Sequence, residues 1–312
     1  MSERPYDVLV VGELNADILL TGDVTPEFGQ VEKLIDDFDI LVGSSSGIFA
    51  AGAARMGLRV LFSSCVGDDL LGHFLVEALA EAGVDTTHVR IDPAVKTGAT
   101  VLLSRGQDRA MLTYLGAIAA VGPEDVREEW YAQARHLHVA SPFLLARLRP
   151  VMRDMMRCAH EAGATTSLDT NWDPAGRWEI DDLLEHLDVF LPNTAEALAI
   201  SGRETVEEAM EVLGSRTRVL AVKAGAEGAY GAERGAAGVV RMPAQAVQPV
   251  DTTGAGDTFD AGFLGGWLRG QPLEECLALG AVAGALTTTQ PGGLNGQPTY
   301  EEARALARRV KG

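Results

Sequence analysis

The sequence predicts an α/β fold in which a mainly parallel sheet is covered by helices on both faces and carries a small β lid. Three observations lead there. Short apolar, β-rich runs alternate with stretches of helical periodicity along most of the 312 residues, the pattern of parallel strands joined by crossover helices. Two regions, Asp17–Val42 and Thr97–Tyr114, break that alternation with short strands and turns. The composition, 46% hydrophobic and 22% charged, is that of a globular chain able to bury a large core.

The elements follow in order. YDVLVVG (Tyr6–Gly12) reads as a buried first strand ending at a glycine. The GSSSG turn (Gly43–Gly47) opens an Ala-rich helix, and RVLFSSCVG reads as the next strand. Leu71, Phe74, Leu75, Ala78, Leu79 and Ala82 then fall at helical spacing until Gly83 ends the run. Further strands are expected at His136–Ala140, Thr165–Asp169, Val189–Leu191 and Val219–Lys223. The lid is expected over about 13–42 and 97–118, with TGATVLLS and RAMLTYLG joined by the turn RGQD. Gly225–Gly238 reads as hairpin turns rather than a phosphate loop. No repeat or linker divides the chain, so 1–312 reads as a single domain.

Charge narrows the partners. A net charge of −18 speaks against non-specific binding to nucleic acid or to an anionic membrane, which need a basic surface. It leaves room for a small anionic ligand held by a few amides and one cation. The three cysteines, Cys65, Cys158 and Cys276, stand far apart without a C-x-x-C pair and read as reduced thiols in the cytoplasm. No leader or membrane span is expected from the N-terminal run.

Two glycine-rich turns carry the chemistry. GSSSG fits either a hydrolase nucleophile elbow with Ser45 as nucleophile or a turn that lets backbone approach a polar ligand. VDTTGAGDTFDAGFLGGWL (Val250–Leu268) places Thr253-Gly254-Ala255-Gly256-Asp257 at the start of an apolar helix. Amides and dipole at such a helix start form an anion site. Asp257 is then either a helix cap or a general base beside that anion; spacing alone favours the cap. Other phosphate sites are missing: none of the four lysines follows a glycine, so there is no Walker A loop. No protein-kinase, dinucleotide or zinc signature is present.

At these residues the chain resembles the ribokinase-like (PfkB) carbohydrate kinases. DTTGAGDTFDAGF is similar to the second signature of that family, GELNAD to its N-terminal substrate segment and GSSSGIFAAGAARMG to its first signature. LPNTAEA is similar to its Asn-x-x-Glu element, and VKAGAEGAYG to its nucleotide-binding strand and turn. The resemblance runs over nearly the whole length. It implies a three-layer ribokinase-like fold and an ATP- and Mg²⁺-dependent transfer of phosphate to a sugar hydroxyl.

By that resemblance Asp257 is the catalytic base, and the amides of Gly254, Ala255 and Gly256 form the anion hole for the γ-phosphate. Asn193 and Glu196 help hold Mg²⁺ and phosphates, partly through water. The residues alone read that pair as a capping box instead. Lys223, Gly225 and Gly228 line the nucleotide, although Lys223 could equally end a strand in solvent. Asp251 and Thr253, with backbone near Gly292 and Gly293, match positions that hold a monovalent cation, K⁺, in many relatives. Asn15 and Asp17 are expected to bind sugar hydroxyls, against the plainer reading of a turn. Asp169 and Asn171 are secondary, because Trp172 and Asp173 replace the arginine usual in the family.

The hydrolase reading fails on order and on histidine. Only about one strand and a flap precede Ser45, and the last histidine is His186. In the kinase reading Gly43 and Ser44 lie where backbone meets the sugar, and Ile48 stands where many relatives have a sugar-binding asparagine. The hydroxyls of Ser44–Ser46 are candidates to replace it. Arg105 and Arg109 in the flap could meet an anionic substrate group, with solvation the plainer reading. Alternatives are a nucleoside kinase of the same superfamily or a non-catalytic sugar or nucleotide sensor. Flaps of this kind pair between subunits in the family, which allows a homodimer through the lid.

Overall fold

The computed structural model describes residues 4–105, 108–236 and 238–310. Nine strands form the main sheet: β1 (Tyr6–Val11), β4 (Val60–Gly67), β5 (Asp85–Asp92), β8 (Ala134–Ala140), β9 (Thr165–Asp169), β10 (Val189–Phe190), β11 (Val219–Lys223), β12 (Ala229–Glu233) and β13 (Val240–Met242). Their order is β13-β12-β11-β10-β9-β8-β1-β4-β5. Every pair from β11 to β5 is parallel, and the β12–β13 hairpin joins antiparallel at one edge. A separate four-stranded sheet, in the order β3-β2-β6-β7, contains β2 (Asn15–Thr21), β3 (Asp37–Val42), β6 (Gly98–Arg105) and β7 (Asp108–Tyr114). These are the segments expected to form the lid.

Among the described residues ten α-helices cover the main sheet: α1 (Ser45–Arg55), α2 (Leu70–Glu81), α3 (Glu128–Gln133), α4 (Met152–Glu161), α5 (Asp181–Leu184), α6 (Thr194–Ser201), α7 (Val206–Arg216), α8 (Ala255–Trp267), α9 (Leu273–Thr287) and α10 (Tyr300–Val310). Alternation within β1 shows how they divide. Val8 and Val10 pack with α1, α2 and α8–α10, while Leu9 and Val11 pack with α3–α7. A strand buried on both faces is apolar at every position, which is why VLVV was readable as a strand. Burial of both faces is the main source of stability here.

The expected strands at Thr165–Asp169 and Val219–Lys223 fall where the sequence placed them, and the Val189 strand is one residue shorter than expected. Of the Gly225–Gly238 segment, Gly225–Glu227 and β12 form the turn and return of a hairpin, as the glycines implied. The edge strand β5 was not foreseen. Among the described strands DTTHVRID pairs with β4 alone, and with only Val89 and Ile91 apolar it carries no apolar run. The described cysteines are free thiols, and no described helix is long and apolar enough to cross a membrane.

Candidate active site

Strand order reverses beside β1: the chain runs outward to β4 and β5, then returns to β8 and continues the other way. Ligands of open α/β sheets bind at the carboxyl ends of the strands near such a reversal. Here that edge carries Glu13 and Asn15 after β1, Asp169 ending β9, Asn193 after β10 and Lys223 ending β11. A pocket of about 430 Å³ opens there, lined by Asp17, Ser45, Ile48, Asn171, Lys223 and the 252–257 turn. Leu102 of β6 and Met111 of β7 close it from the lid side.

Asp257 does not cap its helix. The N-cap position of α8 is Gly254, in the left-handed region at φ 71°, and no side chain caps it. A Cβ on Gly254 would come within 2.8 Å of Gly293 Cα and of Ile48 Cγ2, so the turn needs glycine for space as well as for φ. Asp257 instead lies in the first helical turn, 9% exposed and facing the pocket. Burial and the nearby Asp169 raise its pKa to about 6, against the opposing pull of Lys223 and a hydrogen bond from Ser45. Of the turn's amides, that of Ala255 leans back to the Thr252 carbonyl at 3.3 Å.

Lys223 is not a strand end in solvent. Its ammonium is buried and donates to Asp169 Oδ2 at 2.7 Å and to Asp260 Oδ2 at 3.0 Å. Burial opposes its charge, but Asp169, Asp260 and Glu196 outweigh that and keep it protonated. Asp260, one turn along α8 from Asp257, is pushed up by burial and by Asp169. A cation therefore lies beneath the anion turn, with Nζ 3.6 Å from where a Gly256 Cβ would be.

The three serines of the GSSSG turn divide their work. Ser44, expected to touch substrate, is the N-cap of α1: its Oγ accepts from the Gly47 amide at 2.8 Å, and it is 1% exposed. Ser46 donates to Glu13 Oε2 at 2.7 Å. Ser45 is the one that reaches the pocket and Asp257. Gly43 stands against Asp17, whose Oδ1 would be 2.0 Å from a Cβ at position 43. Asn15 and Asp17 open β2 rather than a turn, and Asn15 Nδ2 donates to Asp17 Oδ1 at 3.3 Å. Asp17 lines the pocket directly, with Asn15 behind it. Ile48 presents an apolar wall to the turn at Gly254 and Gly293.

Asn193 and Glu196 do form the capping box of α6. Asn193 Oδ1 accepts from the Glu196 amide at 3.0 Å, and Glu196 Oε2 from the Asn193 amide at 2.9 Å. Glu196 also lies at the pocket, where burial and Asp169 raise it to about 7. Gly225 lines the pocket, whereas Gly228 does not: it is glycine because Met242 O would be 1.9 Å from a Cβ there. Asp251 ties two loops together, accepting from Thr253 through N and Oγ1 and from the Gly292 amide at 2.9 Å. Asn171, at φ 50°, lines the pocket with its Nδ2 buried and without a hydrogen-bond partner among the described residues. That leaves a donor for a ligand oxygen. Arg105 bonds Thr25 at the exposed edge of the lid, and the Arg109 side chain lies outside the described residues.

Sequence reasoning passed over Glu13, Asp260, Leu102 and Met111. Asp260 had a signal, a carboxylate inside the apolar helix run TFDAGF, since a charge in such a place needs a partner. Glu13 had none, because its partner Ser46 comes from another element. His136 and His138, on one face of β8, share Ser167 as hydrogen-bond partner and are held neutral by burial.

The pfkB family carbohydrate kinase profile matches residues 8–300. The chain is 33% identical over 303 residues to the ATP-dependent ribose-1-phosphate kinase of Halopiger xanaduensis, with 96% of this chain and 97% of that one covered. It is 27% identical over 303 residues to the ribokinase of Haemophilus influenzae, covering 94% and 95%. Among solved structures, Arabidopsis thaliana ribokinase complexed with ribose and ATP superposes with a TM-score of 0.84 at 25% identity, over 97% of this chain and 99% of that one. With the profile spanning almost the whole chain and the fold shared throughout, the protein belongs to the pfkB family of carbohydrate kinases, phosphotransferases that act on an alcohol group.

Proposed function

We propose that the chain transfers the γ-phosphate of ATP to a hydroxyl of a neutral sugar or sugar-like polyol, with Asp257 as general base. The observation that carries this reading is the placement of Asp257: buried at the start of α8, making no cap, and facing a pocket that also holds Asp17 and the glycine turn. Asp257 takes the hydroxyl proton as the oxygen attacks phosphorus. The helix N-terminus with Lys223 behind it stabilises the transferring charge.

Asp17 suits a polyol, since one carboxylate accepts from two hydroxyls. Ile48, Leu102 and Met111 supply apolar walls for the carbon skeleton. Lys223, the one cation among the described lining residues, is already held by two carboxylates. A carboxylate or phosphate on the substrate therefore finds no further cation among the described lining residues.

The donor set fits Mg²⁺ carried by the nucleotide. Among the described residues no group of three or more His, Cys, Asp or Glu side chains is arranged to hold a metal alone, and Mg²⁺ characteristically keeps its waters and takes one or two carboxylates with phosphate oxygens. Glu196 and Asn193 would hold it through water, because their polar atoms already bond one another. When bound, the ion neutralises charge on the phosphates. Asp251 fixes the two loops between which a K⁺ would sit.

Substrate-dependent ADP release with MgATP, across neutral sugars, polyols, sugar acids, sugar phosphates and nucleosides, tests the reading. Highest kcat/KM for a neutral sugar or polyol is expected. Turnover confined to sugar acids, sugar phosphates or nucleosides would reject the assigned substrate class, and no turnover at all in protein that binds ATP would reject catalysis.

A further inference from the structure

Backbone in the left-handed region gathers at the carboxyl ends of two neighbouring strands. Ser141 follows β8 at φ 51°, Asn171 follows β9 at φ 50°, and Trp178 lies farther along the same loop at φ 56°. Asparagine enters this region more cheaply than most residues, so the turn alone could account for Asn171. It does not account for the side chain. Nδ2 is buried, and of the buried side-chain atoms that lack a partner among the described residues it alone lines the pocket. An amide kept dry and unbonded costs free energy that a bound acceptor recovers.

The loop that carries this amide is built in advance. Asp173 is 4% exposed and gathers the amides of Ala175, Arg177 and Trp178 at 2.8, 2.7 and 2.8 Å. The Trp178 ring meets Phe143 edge-on at 5.7 Å and Trp172 at 5.3 Å. A donor fixed in this way needs no reorganisation when charge develops beside it.

The chemistry of the pocket indicates which acceptor that is. Asp17, Asp169, Glu196 and Asp257 line it as carboxylates. Several lining side-chain donors are already engaged: Lys223 with Asp169 and Asp260, Asn193 Nδ2 with Glu196, and Ser45 with Asp257. A sugar hydroxyl arriving here can donate to a carboxylate and has no need of an amide. A phosphoryl oxygen only accepts, so it requires a donor. Asn171 also adjoins the corner assigned to the phosphates. Its backbone amide reaches Asp169 Oδ1 at 3.4 Å, and Thr170 beside it donates to Glu196 Oε2 at 3.2 Å.

We propose that Asn171 donates through Nδ2 to a non-bridging oxygen of the γ-phosphoryl group in flight, an inference that rests on the kinase reading above. The bond from phosphorus to the ADP oxygen breaks as the bond to the sugar oxygen forms. The hydroxyl proton goes to Asp257, and Asn171 keeps its own. Asn171→Gly tests this, because glycine holds the left-handed turn without strain and removes only the donor. The probe is MgADP with aluminium fluoride, a mimic of the transferring phosphoryl group, titrated calorimetrically into the whole protein. The variant should bind that complex at least about tenfold more weakly and MgADP alone within about threefold of the parent. Its kcat on the best sugar of the panel should fall at least about tenfold, while its urea midpoint is no lower. An asparagine kept only for its turn gives equal affinity for the fluoride complex and equal kcat, and either result overturns the proposal. Should the glycine variant fail to fold, Asn171→Asp keeps the shape and the turn but offers an acceptor. The same loss of the fluoride complex supports the contact, and undiminished affinity refutes it. Because this binding needs no sugar turnover, failure of the contact and failure of the kinase reading are told apart.

Discussion

In the proposed role of general base Asp257 must be ionised, and its surroundings set the pH at which that happens. With its pKa raised to about 6 by burial and Asp169, activity is expected to rise as pH passes through about 6. Glu13 lies close by. It is fully enclosed, hydrogen-bonded to Ser46, and raised to about 7 by burial, with the charge of Asp257 pushing the same way. Glu13→Gln keeps an acceptor for the Ser46 amide and mimics the neutral carboxyl. Because Glu13 is mostly protonated where Asp257 titrates, the acid limb of the kcat/KM profile should stay within about 0.2 unit and maximal kcat within a few-fold; a limb moved by a full unit would show that Glu13 is ionised beside Asp257. Stability should respond with a definite sign. A carboxyl whose folded pKa exceeds its unfolded value stabilises fully below about 4.5, and that contribution is lost as pH rises through about 7. The Gln variant should therefore gain on the parent between pH 5 and 8 in urea unfolding, by about 3 kcal/mol at most.

At the scale of elements, α8 and β11 act as one unit. The helix supplies the glycine turn, Asp257 and, one turn on, Asp260; the strand ends in the lysine that joins Asp260 to Asp169 of β9. Removing the cation leaves two buried carboxylates facing each other, so Lys223→Met should cost about 3–5 kcal/mol of unfolding free energy. Lys223→Met/Asp260→Leu should be more stable than that single variant, because one stranded charge is gone and apolar area is buried in its place. A double variant less stable than the single one would mean that Asp260 is held by something other than Lys223. Asp260 also marks a limit of local reading. Its position in an apolar helix was visible, but the partner lies 37 residues back along the chain and is found only through the fold.

Across the whole molecule, legibility followed burial. Strands enclosed on both faces, β1, β9 and β11, announced themselves as short apolar runs, and the lid as two stretches where alternation failed. β5 stayed hidden because an edge strand with one neighbour need not be apolar. At the site, the glycine turn that opens α8 at Gly254 was readable for its backbone reason, whereas the contact of Gly43 with Asp17 appears only in the fold. Spacing alone favoured the cap for Asp257, and that was wrong because Gly254 holds the N-cap position. The sequence left Ser44, Ser45 and Ser46 all open as hydroxyl contacts, and only the fold shows that Ser45 is the one that reaches Asp257 while Ser44 caps α1. The lid leaves Phe38, Met111 and Leu112 more than half exposed, apolar area that bears on the expected pairing of lids. Met111 lines the pocket as well, so the lid sheet and the parallel sheet share one pocket. The most direct test of the whole account is the turnover of Asp257→Asn at saturating sugar and MgATP, measured alongside its affinity for MgATP. A fall of at least about 100-fold in kcat with MgATP affinity retained is the predicted result for loss of a general base; near-parental kcat would contradict it.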